Sequence, residues 1–159
     1  MNILTGTAST ELFGGEVSPS VRHLVEMARN APREQAAAAL WTAALSSPQS
    51  LPVYYLLYKL HAGLGELDEA LQAARKGLAA AAQAAALPPD WRAVQPGDAD
   101  FSAPGPAHFW LFTLKALAFI HLRRGEREAA QGFVAQLRRL DPADHLGTSV
   151  VQALLHESA

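Results

Sequence analysis

The chain contains no cysteine. That absence removes disulfides, thiolate zinc sites, iron–sulfur ligation and cysteine nucleophiles together. Runs of like charge are missing too: 13 Lys+Arg stand against 15 Asp+Glu, a formal net charge of −2. Neither a nucleic acid backbone nor an anionic membrane is therefore expected as the main partner. No apolar run approaches the roughly 20 residues that span a bilayer. The charge-free stretch Gln35 to Tyr58 is broken in its middle by Ser46-Ser47-Pro48-Gln49-Ser50-Leu51-Pro52. Met1 to Val17 carry neither a basic start nor a continuous apolar stretch, so no secretory signal is expected and a cytoplasmic location is. Glycine-rich phosphate loops, a nucleophile elbow and paired-carboxylate signatures are absent as well.

Few residues are β-branched, whereas alanine is abundant and half of the chain is hydrophobic. Alanine loses no side-chain entropy on entering a helix, so this balance predicts an all-α protein. At 159 residues the chain makes one domain, able to bury about 70% of its unfolded surface. Residues 1–16 show no period and read as a flexible leader. Ser18-Pro19 then opens a helix through about Arg29, and a second runs from about Arg33 to Leu45. Val53 to Ala62 follows. The next helix carries Leu67, Ala70, Leu71, Ala74, Leu78 and Ala81 on one stripe, reaching Ala86 before Pro88-Pro89 stop it. Residues 88–107 are punctuated by proline and glycine, yet hold Trp91 and Phe101, which argue for docking. Phe109 to Leu122 and Arg127 to Leu140 make a third pair, and Asp141-Pro142 is expected to start a last helix bearing Leu146, Val150 and Leu154.

One short pattern occurs twice. His61-x-x-x-Gly65-Glu66-x-x-x-Ala70 returns as His121-x-x-x-Gly125-Glu126-x-x-x-Ala130, 60 residues later, each time at the joint between two helical stretches. Internal repetition of a helix–turn–helix unit marks an architecture that presents a surface.

These residues resemble the tetratricopeptide repeat, a pair of antiparallel helices about 34 residues long. For 111–144, Leu117, Ala118, Gly125, Ala130, Leu137 and Pro142 fall on the family's positions. For 51–84, Leu57, Gly65, Ala70 and Leu78 match, while Tyr58, Gly77 and Ala82 depart; for 17–50, Leu24, Ala36, Leu40 and Pro48 fit. The resemblance covers about three quarters of the chain. It implies a right-handed superhelix of three hairpins in a single domain, 17–159, with an insertion at about 85–110 and a capping helix at 145–159. It also implies protein binding, with the first helix of each pair lining a concave groove. By position, that groove would present Val21, Val25, Ala28 and Arg29, then Tyr55, Lys59 and Ala62, then Phe112, Lys115, Phe119 and Leu122, and the candidate contact residues are Tyr55, Lys59, Phe112, Lys115, Phe119 and Arg123. Members of the family that clamp a carboxylate pair lysines with asparagines, which Lys59 and Lys115 lack here.

The helix Phe109–Leu122 is apolar on every side except Lys115, so it must be covered on every side. The insertion is one candidate cover, a lid over the groove anchored by Trp91 and Phe101; a bound peptide or a second copy is another. The histidines His61 and His121 are expected to wedge between helices with a ring nitrogen hydrogen-bonded, neither having a second metal ligand at helical spacing. Repeats of this kind supply no pocket with convergent polar groups, so no catalytic residue, metal or cofactor is assigned. The leading expectation is a non-catalytic adaptor or chaperone holding a protein or peptide, akin to small chaperones of secreted bacterial proteins. The alternative is a structural subunit, a homodimer that buries the aromatic face around Phe112 and Phe119.

Overall fold

The computed structural model describes residues 19–157, all of whose regular elements are helical. The expected leader, 1–16, lies outside them. Seven α-helices follow in order: α1 (Pro19–Arg29), α2 (Arg33–Ser46), α3 (Leu51–Gly63), α4 (Leu67–Ala84), α5 (Pro106–Arg123), α6 (Arg127–Leu140) and α7 (Thr148–Glu157). Each helix packs on the next, and α3 also touches α5 while α5 touches α7. Short connections between packed helices make antiparallel neighbours.

Proline sets two of the starts. Pro52 in the first turn of α3 and Pro106 at the head of α5 cost no hydrogen bond there, and their fixed φ suits a helix. The two helices that follow, α4 and α6, each bury one stripe: Ala70, Ala74 and Leu78 in α4, and Ala130, Val134 and Leu137 in α6. The stripe recurs at fixed register. Ala36, Leu40 and Ala43 of α2 are buried, as are Ala70, Ala74 and Gly77 of α4, 34 positions on.

The repeated sequence pattern is a repeated joint. Gly65 and Gly125 adopt φ of 77° and 82°, a left-handed conformation that glycine enters without a Cβ penalty. The amide of Glu66 then bonds the His61 carbonyl at 2.9 Å and that of Gly65 the Ala62 carbonyl at 3.1 Å. Glu126 to His121 (2.9 Å) and Gly125 to Leu122 (3.0 Å) repeat this pattern. Both are the paired closure that ends a helix on a left-handed glycine. Backbone carbonyls left over by one helix are satisfied, and the next helix starts at once.

Several boundaries differ from the sequence expectation, α3 for one beginning at Leu51, two residues early. Helix α4 stops at Ala84, because Ala86 takes a φ of 56° and the Leu87 amide turns back to the Ala82 carbonyl at 2.8 Å. Leu87 is buried, which secures the turn before the two prolines are reached. Helix α5 begins at Pro106, three residues early. The last helix begins at Thr148 and not at Asp141-Pro142. The Asp141 carboxylate is engaged by the amides of His145 (3.1 Å) and Leu146 (3.0 Å). Asp144 and Gly147 are both left-handed, at φ 58° and 74°, so residues 141–147 close a turn.

Gly77 sits where α4 meets α3 and α5 together: a Cβ there would lie 2.8 Å from Tyr54 Cβ and 3.3 Å from Phe109 Cζ. Gly132 of α6 has only Trp91 Cη2 nearby, at an ordinary 3.7 Å. Opposite signs are expected for one substitution. Gly132→Ala should stabilise by up to about 1 kcal/mol through helix propensity. Gly77→Ala should destabilise by about 1 kcal/mol net, overpacking outweighing the same gain. Denaturant unfolding of both variants checks this; a stabilised Gly77→Ala protein would show that the helices do not approach this closely.

Candidate functional site

Helices α3 and α5 are apolar nearly all round, so position on them is decided by what covers each side. Their neighbours cover most of it. One stripe is left where α3, α5 and α7 meet. The i, i+4 pair Tyr55 and Lys59 come from α3; Phe112, Lys115 and Phe119, at three- and four-residue steps, come from α5. These five, with Arg123, are the candidate contacts read from the sequence; Lys59, Phe112, Lys115 and Phe119 line one cleft, and Tyr55 and Arg123 join it through ring contacts to Phe112 and Phe119.

The Tyr55 and Phe112 rings lie 5.7 Å apart, linking the two helices. Each cation lies over a ring of its own helix: Lys59 over Tyr55 at 5.6 Å, Lys115 over Phe112 at 5.9 Å and Arg123 over Phe119 at 5.8 Å. Such contacts contribute about 0.5–1 kcal/mol at exposed sites. Between the helices lies a cleft of about 310 Å³, with Phe112, Phe119 and Ile120 as its apolar wall and Lys59 and Lys115 on its lip. No acidic side chain lines it. Helix α7 contributes Val150 and Val151, which the sequence reading did not place in the site. Phe119 is 36% exposed and Val150 62%, so the cleft has an uncovered apolar edge.

Two of the cations are tethered. Arg123 Nη1 donates to the Ala62 carbonyl at 2.9 Å, capping the last turn of α3 from α5. Lys115 Nζ donates to the Leu146 carbonyl at 2.6 Å, holding the 141–147 turn against α5. Burial, and after it the like charge of Lys59, push the Lys115 ammonium below the ordinary lysine range. The two ammonium groups stand beside one cleft, which suits an anionic group on whatever enters.

The lid expectation is corrected. Trp91 and Phe101 do anchor the insertion, but away from this cleft. Trp91 stacks on Phe133 of α6 with centroids 4.4 Å apart, and buried Phe101 packs on Trp110 of α5 at 5.8 Å. The backbone explains the choice. Gln136 Nε2, buried on α6, donates to the carbonyls of Trp91 (2.9 Å) and Val94 (2.8 Å), satisfying two backbone groups of the insertion on the α6 side. No residue of 88–107 lines the cleft.

Both histidines of the repeated pattern are buried at the joints, with Nδ1 facing the glutamate five residues on: His61 to Glu66 at 3.1 Å and His121 to Glu126 at 3.0 Å. Arg124 also bonds Glu126, at 2.7 Å, and pairs with Asp68 of the preceding joint. The acidic residues Asp90, Asp98 and Asp100 accept backbone amides of Arg92, Gln95 and Ser102, closing turns in the insertion. No protein-family model, curated protein or solved structure matches the chain.

Hydrogen bonds from Arg124, and next from His121, hold the Glu126 carboxyl below the usual carboxylate range. A depressed carboxyl contributes stability that is present above the unfolded glutamate value of 4.5 and is lost as pH falls through the lower folded value. Glu126→Gln should therefore lower Tm at neutral pH, and the gap to wild type should close on acidification from about pH 5 to about pH 3. Thermal melts followed by circular dichroism across that range check this; a gap unchanged at the acid end would mean that the latch is not ionic.

Proposed function

We propose that the chain is a non-catalytic binding module whose hairpins stack as a tetratricopeptide-like right-handed superhelix. Its groove between α3, α5 and α7 grips a segment of a partner protein. The observation that carries this reading is the cleft itself: an apolar wall with an exposed edge at Phe119 and Val150, rimmed by Lys59 and Lys115, with Arg123 over the Phe119 ring, and lacking any acidic lining. A wall of that kind suits large apolar side chains, and the rim suits acidic neighbours on the same segment. The packing of α3 on α5 and of α5 on α7 supports the stacking, since a superhelix lines its groove with the first helix of each pair. Aromatic and arginine side chains are also the types that carry most binding energy at interfaces.

Within this reading the protein is an adaptor or small chaperone of the cytoplasm, working without metal or cofactor. Among the described residues, no helix is long and apolar enough to cross a membrane. The uncovered edge at Phe119 and Val150 also supports a second reading, in which two copies bury this face against each other.

The double variant Lys59→Glu/Phe119→Asp separates these outcomes. Both side chains reach solvent, so helicity should be retained. Used as bait in extract of the source organism, wild type should retain a partner that mass spectrometry identifies, and the variant should bind that purified partner at least about tenfold more weakly. Equal retention would end the groove reading. Light scattering across a dilution series tests the second: a wild-type dimer that the double variant converts to monomer supports self-association, and a wild-type monomer at low micromolar concentration excludes it.

A further inference from the structure

The two joints are copies in backbone and in their histidine–glutamate contact, and they differ in what meets the far side of the ring. At the first joint, Trp41 Nε1 of α2 donates to His61 Nε2 at 3.0 Å, with ring centroids 6.1 Å apart. Both imidazole nitrogens are thereby used. At the second joint, Nδ1 again meets Glu126, but among the described residues no hydrogen bond reaches His121 Nε2, although the residue is only 5% exposed. A carboxylate at Nδ1 keeps the proton there in neutral imidazole, leaving Nε2 an unused acceptor.

The register says what is missing. The buried stripe of α2 maps onto that of α4 with an offset of 34, and the same offset carries Trp41 onto Arg75. Where the first joint has an indole, the second has an exposed guanidinium and an open space. That space is a cavity of about 350 Å³ between α4, α5, α6 and the insertion, lined by Arg75, Trp91, Arg92, Trp110, His121 and Phe133. Its volume falls at the small end of ligand pockets, which run from about 300 to 1,000 Å³. Trp91, Phe133 and His121 form a stacked aromatic wall, with centroids 4.4 and 5.3 Å apart. Arg92 lies 4.4 Å over Trp91 and has a loose contact of 3.9 Å to exposed Asp90; no carboxylate lines the cavity.

We propose that this cavity binds a small planar aromatic acid. Its ring takes the place that Trp41 holds at the first joint, a ring N–H or phenolic O–H donates to His121 Nε2, and its carboxylate meets Arg75 and Arg92. The insertion, which supplies Trp91 and Arg92, makes the site. It is independent of the α3–α5–α7 groove.

Indole-3-carboxylate is the probe, measured by calorimetry on the full chain. It should bind saturably, and benzothiophene-3-carboxylate, which lacks the ring N–H, about tenfold more weakly. Cyclohexanecarboxylate, neither planar nor aromatic, should show no saturable binding. Arg75→Trp should rebuild the first joint at the second, raising Tm and weakening the probe at least tenfold. Should that variant fail to fold, Arg75→Gln, a change at an exposed position, should weaken the carboxylate but not neutral indole. No saturable binding of indole-3-carboxylate at millimolar concentration would overturn the proposal, as would binding to folded Arg75→Trp, or to Arg75→Gln, with wild-type affinity.

Discussion

Everything in this fold is oriented by one backbone event: a helix ending on a left-handed glycine whose successor begins the next helix. At Gly65 and Gly125 that event returns the chain on itself within three residues. Direction, register and spacing of α4 and α6 follow from it, since the amides of Glu66 and Glu126 are committed to the carbonyls of His61 and His121. The carboxylates of the same glutamates reach the same histidines, so each joint is tied through backbone and side chain at once. A β-carbon in place of either glycine's hydrogen would strain the turn by about 1–2 kcal/mol. The recurrence of His, Gly, Glu and Ala at fixed spacing is therefore the chemical description of a hinge that must not bend.

With directions fixed, coverage becomes the second constraint. Helix α5 presents apolar residues on every side and cannot be left in water. Its neighbours α4 and α6 take two sides and α3 and α7 contribute edges. The insertion takes the Trp110 side through Phe101. What remains exposed is the edge at Phe119, beside Val150 of α7, which is the reason to look there for a partner. The insertion goes where it does because a loop must satisfy its carbonyls as well as its aromatics. Gln136 offers two hydrogen bonds on α6, whereas Lys115 and Arg123 at the groove already donate to the carbonyls of Leu146 and Ala62.

Helix existence and type were legible because period and punctuation agree: alanine-rich stripes at three- and four-residue steps, bounded by proline and glycine. That Lys59, Phe112, Lys115 and Phe119 come to one cleft was legible for the same reason, since they share one face of two helices. Boundaries set by side-chain capture were not. Asp141 reads as a helix cap, but its carboxylate holds the amides of His145 and Leu146, so the helix waits for Thr148. Ala86 carries no glycine signal and still turns left-handed, because burying Leu87 offsets the strain. The docking side of the insertion was illegible too, for it depends on Gln136, a polar residue whose burial no pattern announces.

Repetition supplies a control that a single site lacks. Two joints with one backbone and one latch should have one environment, and a difference between them has to come from the residues that are not repeated. Trp41 and Arg75 are the informative pair. An indole closes the first joint by using the second nitrogen of His61, whereas a guanidinium, with donors and no aromatic N–H donor face, leaves the equivalent nitrogen of His121 open. His121 lines the cavity that opens there. Its Nδ1 is accounted for by the Glu126 latch, as that of His61 is by Glu66. What the latch leaves unexplained is Nε2, which at the second joint has no counterpart of Trp41 among the described residues and lies beside the insertion.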